Sequence, residues 1–287
     1  MRTPADWQQA IEHILRSPGT AMVMGQGDVG KTTFCLLLAN AGAEAGLSVG
    51  VVDADVGQSH IGPPAAIGLG LVEKPVSDLV SIPAEALYFI GSHSPAGHFS
   101  RMAVGTAKLV ARAKGMGLSP IVVDCGGLSM GKLTWRLAKG ELEMVRPEHL
   151  VLLKRRRGFE ALMEMSKMWS HLTCYQLGLP ASIRRKSAAR RKEYRKMAWG
   201  KYLRAAQRRE FSLKEVSLDG VSPEDERRDW TGRIVGLHDR CGECVGLGLI
   251  THLDLRASQL EVFTPVGERL EVDHVVFGSQ RLRVPLE

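Results

Sequence analysis

Gly25-Gln26-Gly27-Asp28-Val29-Gly30-Lys31-Thr32 is the stretch that decides the fold. It reads G-x4-G-K-T, and its flanks matter as much as its letters. Ala21-Met22-Val23-Met24 before it is a short apolar strand, and residues 32–45 after it have the pattern of a helix ending near Gly46. A strand, a glycine-rich turn and a helix N-terminus together make an anion cradle. The glycines let the backbone wrap an oxyanion, and the exposed N–H groups and the helix dipole favour negative charge. Lys31 can reach the β- and γ-phosphates of a nucleoside triphosphate, and the Thr32 hydroxyl can bind Mg²⁺. The cofactor-binding set is therefore Gly25, Gln26, Gly27, Asp28, Val29, Gly30, Lys31, Thr32 and Thr33.

Working outward, residues 48–52 form the next apolar strand, with Asp53-Ala54-Asp55 at its C-terminal end. Residues 120–123 form a buried strand that ends in Asp124, the pattern of a metal-orienting carboxylate. Further strands are expected at 86–90 and 149–153, and helices at 4–16, 101–114, 132–144 and 159–171. Short apolar strands alternating with helices of this length describe a parallel sheet with helices on both faces. The C-terminal strand ends of such a sheet converge on the ligand crevice, so Asp53, Asp55 and Asp124 should join Thr32 around the phosphates and their metal.

After about residue 210 the texture changes to short Val/Leu/Ile runs at 233–237, 245–251, 259–263, 273–277 and 281–284, read as a small antiparallel β module. The expected fold is α/β: a P-loop NTPase core over 1–183, a basic helical lid over 184–210 and a β-rich module over 211–287.

The charge marks out the middle part. The chain of 287 residues carries a net +7, but residues 184–209 hold 12 Lys/Arg against the single acid Glu193, a local +11. The rest holds 26 basic and 30 acidic residues, a net −4. A near-neutral body with one cationic segment suits a polyanionic partner. No apolar run approaches the ~18 residues that span a bilayer, and the N-terminus shows no signal-type apolar stretch. Five cysteines form an odd, sparse set, as in a reduced cytoplasmic protein. No membrane association is expected.

Several ordered segments then agree with one family. Residues 25–33 with Asp28 inside the loop, and Val52-Asp53-Ala54-Asp55-Val56-Gly57-Gln58-Ser59, resemble the polynucleotide 5′-hydroxyl kinases, the kinase subunits of RNA cleavage and pre-rRNA processing complexes and their archaeal and bacterial relatives. Gly91-Ser92-His93-Ser94-Pro95-Ala96-Gly97-His98 is similar to that family's G-S/D-x-S-P-x-G-H segment, Asp124-Cys125-Gly126-Gly127-Leu128 to its D-T-x-G-W/L segment, and residues 143–149 to its E-x-x-x-P-D segment. Ser187 to Arg195 resembles its arginine-bearing lid, S-x-x-x-R-x-x-x-R. The likeness runs over about residues 20–210. Leu128 stands where many members carry Trp, Leu203 where an aromatic is usual, and the N-terminal domain of the eukaryotic members is not expected before residue 25.

The resemblance implies transfer of the γ-phosphate of ATP to the 5′-hydroxyl of RNA, with DNA as a second candidate. It implies Asp55 as the base, with Asp53 and Asp124 as runners-up, and Lys31, Arg191 and Arg195 as the other catalytic groups. Gln58, Ser94, His98, Arg101, Gly126 and Gly127 are the implied substrate contacts. The residues themselves place Arg191 and Arg195 four apart, hence on one face of a helix read over 186–207, with Tyr194, Met197, Ala198, Tyr202 and Ala205 as an apolar stripe. A solvated cationic face is the plainer reading of that run.

Two other classes compete: a nucleotide-dependent switch ATPase or GTPase, and a catalytically silent, ATP-bound RNA-processing adaptor. The guanine motif N-K-x-D is absent, as is the extra lysine that some switch ATPases place near Gly25. The adaptor is disfavoured because Lys31, Thr32, Asp55 and the lid arginines are all in place. Cys241-Gly242-Glu243-Cys244 has metal-type spacing but reads more simply as a hairpin turn. Met163, Met165 and Met168 read as core packing, and residues 154–157 as a second basic run.

Overall fold

The computed structural model describes residues 3–127, 132–153, 159–180, 187–222 and 228–282. Leu128 and the basic residues 154–157 and 184–186 lie outside them. The phosphate loop joins β1 (Thr20–Gly25) to α2 (Lys31–Glu44). Around β1 run β2 (Val49–Ala54), β5 (Ile121–Cys125), β6 (His149–Leu153) and β7 (Thr173–Leu177), in the parallel order β7-β6-β1-β5-β2.

Side chains of these strands alternate between two cores, as the two-residue period of a strand dictates. Ala21, Val23, Val51, Val122 and Val151 pack with Phe34 and Leu38 of α2 and with Trp7, Ile11 and Ile14 of α1 (Ala5–Arg16). Met22, Met24, Val52, Val123, Leu150 and Leu152 pack on the other face with α3 (Phe99–Gly115) and α4 (Lys132–Val145). The expected helix over 159–171 is the shorter α5, Glu160–Lys167. Ser166 Oγ donates to Met163 O and the chain then turns, leaving Met168 81% exposed, outside the core it was expected to join.

The sheet continues past β2 through two antiparallel strands, β3 (Ala66–Val72) and β4 (Ala86–Phe89). Through the Leu87–Cys244 pairing, β4 meets β11 (Cys244–Asp254), so the C-terminal β-rich part hydrogen-bonds into the same sheet. That part comprises β8 (Gln207–Ser212), β9 (Ser217–Asp219), β10 (Arg233–His238), β11, β12 (Gln259–Thr264) and β13 (His274–Arg281). Its own core holds Phe211, Trp230, Val235, Ile250, Leu260 and Phe277. Its pairings are antiparallel, apart from parallel β9–β13. The Cys241–Cys244 segment is the β10–β11 turn, closed by Asp239 Oδ1, which accepts from the Cys241 and Glu243 amides.

The basic helix α6 runs Ala188–Tyr202, shorter than the 186–207 expected. Ser187 caps it by accepting from Arg190 N at 3.2 Å. Residues 207–212 leave the helical pattern because β8 pairs with β12 over six residues, a tertiary pairing that overrides local preference.

Candidate active site

The loop is shaped by a few backbone positions. Gly30 sits at φ 96°, and a Cβ on Gly25 would lie 2.4 Å from Leu153 O, so the loop is held tight against β6. Lys31 is buried, and its Nζ donates to Gln26 O at 3.0 Å, arching the side chain over the loop. Thr32 Oγ1 donates to Asp124 Oδ2 at 2.6 Å.

The two strand-end carboxylates are brought side by side by register, because Asp53 and Asp124 are direct partners in the β2–β5 pairing. Both are fully buried. Burial pushes the Asp124 carboxyl up to about 6, with the Asp53 charge adding and Lys31 and the Thr32 hydroxyl opposing. Burial also raises Asp53. Two such groups cannot both ionise cheaply without a cation or several donors beside them.

Asp53 has its donors. Oδ1 accepts from Asp55 N at 3.1 Å, and Oδ2 accepts from the His60 and Ile61 amides and from Ser59 Oγ. These bonds shape the 55–61 loop, and Asp53 also stands in one metal-type cluster with His60 and Asp124. Asp124 Oδ1, by contrast, is buried with no hydrogen-bond partner among the described residues. Asp124 and Thr32 thus offer hard oxygen donors beside the loop, the set that suits Mg²⁺. His60 adds a nitrogen within 4.8 Å of the ligand atoms of Asp53 and Asp124, and its Nδ1 lies 3.9 Å from Asp53 Oδ2.

Asp55, two residues on, leaves the buried layer. Its Oδ1 accepts from Gly57 N at 3.0 Å and Gln58 N at 2.9 Å, which fixes the carboxylate's orientation. It lines a cavity of about 400 Å³ together with the phosphate loop, Gln58, Gly127, Arg191 and Arg195.

Helix α6 contributes Arg191 and Arg195 to the lining of this cavity. Arg191 Nη2 donates to Asp28 Oδ2, a pair in which Asp28 is nearly buried and Arg191 about one-third exposed. Asp28 therefore serves the lid as well as the loop. Tyr194 OH donates to Ser59 O at 3.1 Å, and Trp199 Nε1 donates to His93 Nε2 at 2.9 Å. That last bond leaves the proton of His93 on Nδ1. Burial, with the Arg195 charge adding, lowers His93 to about 4, so the ring is neutral at pH 7. At its end α6 is tied to the β-rich part, where Tyr202 OH accepts from Leu247 N at 2.7 Å.

The structure brings together most of the residues that the sequence singled out. Gly27 to Thr33, Asp55, Gln58, Gly127, Arg191 and Arg195 line one cavity, Gly126 sits beside Asp55, and Asp53 and Asp124 lie just behind. Ser94, His98 and Arg101 are not among the lining residues. His98 Nε2 pairs with Ser279 Oγ of β13 at 3.2 Å, and Arg101 lies over the Phe89 ring of β4. His60 and His93 line the cavity unannounced. His93 lies within the quoted Gly91–His98 segment, whereas His60 falls one residue past the quoted Val52–Ser59 segment. The α6 stripe also departs from expectation: Trp199 and Leu203 are the buried pair, while Met197 is 67% exposed.

Comparison with known proteins identifies a family. Residues 25–205 match the family described as mRNA cleavage and polyadenylation factor CLP1 P-loop. The chain is 28% identical to a polyribonucleotide 5′-hydroxyl-kinase of Pyrococcus abyssi, over 98% of this chain and 93% of that protein. It is 27% identical to the polyribonucleotide 5′-hydroxyl-kinase of Methanocaldococcus jannaschii, over 98% of this chain and 92% of that protein. Among solved structures, Clp1p in a complex of wild-type Clp1p with Pcf11p superposes with a TM-score of 0.73, covering 96% of this chain and 78% of that one. At 11% identity that likeness shows the fold alone.

Proposed function

The chain belongs to the CLP1 P-loop family, and from that premise we propose that it is an ATP-dependent polynucleotide 5′-hydroxyl kinase acting on RNA. One observation carries the reading. A phosphate loop, an oriented carboxylate outside the buried layer and two lid arginines line a single cavity. Phosphoryl transfer asks a protein for little else: alignment, charge neutralisation and a proton acceptor.

In this reading Lys31 and the loop amides hold the triphosphate. Thr32 and Asp124 would hold Mg²⁺, which would offset the charge of the phosphates. Asp55 accepts the proton of the 5′-hydroxyl, with its orientation set by the Gly57 and Gln58 amides. Arg191 and Arg195 neutralise charge on the transferring group. Gln58 and Gly127 border the nucleophile's position. DNA is a second acceptor to be tested.

The test is transfer of labelled γ-phosphate from ATP to an RNA with a 5′-hydroxyl end and to the same RNA already 5′-phosphorylated. Label should enter only the first, and Lys31→Ala should abolish transfer while the chain stays folded. Equal labelling of both RNAs, or full activity in Lys31→Ala, would remove the reading.

A further inference from the structure

A second cavity, of about 690 Å³, opens beside the phosphate cavity and shares His60 with it. Its floor is the Ser59–Gly62 turn with Val80 and Ile82, its wall is the outer face of α6, and its lining is mostly apolar. The exposed stripe of α6 explains why. Trp199 and Leu203 anchor the helix, so Tyr194, Met197 and Ala198 are left facing this groove rather than a core.

We propose that this groove is a nucleobase subsite that receives the base of the 5′-terminal nucleoside of the substrate strand. The proposal rests on the kinase reading for which end of the strand lies here. Three features support a base. First, the ring wall is held in place. The Tyr194 hydroxyl is tethered to Ser59 O, and the His60 ring stands 5.6 Å from the Tyr194 ring. A ring fixed in advance stacks on a base with little further ordering.

Second, the groove is continuous with the reacting position. The 55–60 loop that carries Asp55 at one end carries His60 at the other, and His60 belongs to both cavities. Third, the outer rim is cationic. Lys201, whose Nζ donates to Val80 O at 3.1 Å, and Arg204 flank the mouth. An apolar slot with a basic rim suits a base on a phosphate backbone better than an apolar peptide.

Gly200 offers a direct probe. It lines the groove from within α6, and a Cβ there would meet nothing within 4 Å. Gly200→Leu therefore adds an isobutyl group at the groove lining without a clash, and a helix interior prefers Leu to Gly. The experiment is equilibrium binding of a short 5′-hydroxyl RNA and of the same RNA abasic at its first position, read by fluorescence anisotropy. The parent chain should bind the abasic RNA about tenfold more weakly. Gly200→Leu and Tyr194→Ala should weaken the intact RNA and erase the difference, while Tyr194→Phe, which keeps the ring, should retain most of it. Equal binding of the two RNAs by the parent chain, or discrimination surviving in Gly200→Leu, would overturn the subsite. Binding is read without turnover. Discrimination without any transfer would thus keep the subsite and sink the kinase reading, and transfer without discrimination would do the reverse.

Discussion

The phosphate loop with its buried carboxylates and the α6 lid face each other across one cavity, yet they are built on opposite principles. In the floor, Lys31, Asp53 and Asp124 are buried, and Thr32–Asp124 and Asp53–amide bonds hold them in place. The lid is mostly solvent-facing and strongly cationic. It is fastened at separate points: Arg191 to Asp28, Tyr194 to Ser59, Trp199 to His93 and Tyr202 to Leu247. A buried polar group that loses its partner costs stability, so defects in the floor should appear in unfolding. A lid held at points gives up little stability when one surface charge is lost. Its defects should appear in rate and affinity.

The largest expected effect lies on the lid. Arg191→Ala and Arg195→Ala should each lower kcat by about 10³–10⁵ if they act on the transferring phosphoryl group. Steady-state kinetics and oligonucleotide binding on the same proteins separate the two roles. A loss of affinity alone would reduce the lid to a nucleic-acid patch and erase the contrast.

Next come the floor and the core behind it, read by stability. Replacing Asp53 with Asn sets an NH2 group against either the Asp55 amide or the His60 and Ile61 amides, all of which need an acceptor. The expected cost is about 1–3 kcal/mol in chemical denaturation. Glu141 on α4 sharpens the same point. It is buried, and burial pushes its carboxyl up to about 8. A carboxyl that titrates higher in the folded than in the unfolded chain holds its proton better when folded. Stability should therefore fall as pH rises from the ordinary glutamate range toward 8. Melting temperatures across pH 5–8.5 should show the decline in the parent chain and a flatter profile in Glu141→Gln. Parallel profiles would mean that Glu141 does not carry the pH dependence.

The smallest effect is electrostatic. Lys196 is exposed on α6, and Lys196→Ala should flatten the salt dependence of single-stranded RNA binding by about 0.7 in log–log slope. Arg208 and Arg209 should contribute less. Arg208 pairs with Glu261, and Arg209 donates to Gly267 O and Leu270 O, within the β-rich part. Equal slopes for all three would mean that the cationic segment acts as undifferentiated charge.

The floor was more legible in the sequence than the lid, and for a physical reason. The loop's chemistry depends on residues at fixed offsets along one strand–turn–helix, so spacing alone reveals it. Telling Asp53 from Asp55 needed the β2–β5 register, which buries one against Asp124 and sends the other into the cavity. β3 was not among the expected strands, and glycines such as Gly68 and Gly70 weaken a strand pattern. They are required there because Ile61 and Ile82 approach closely: a Cβ on Gly68 would lie 2.1 Å from Ile61 O, and one on Gly70 2.4 Å from Ile82 Cγ2. His60 and His93 owe their places to contacts with Asp53, Tyr194 and Trp199 that no local pattern encodes.

The central claim is that Asp55, set forward of the buried pair, is the group that takes the proton. Single-turnover transfer of labelled γ-phosphate to 5′-hydroxyl RNA, with ATP prebound at saturation, tests it in Asp55→Asn. The account predicts a rate about 10²–10⁴ lower with unchanged ATP affinity. Near-normal transfer by Asp55→Asn would contradict it and put the base elsewhere in the cavity.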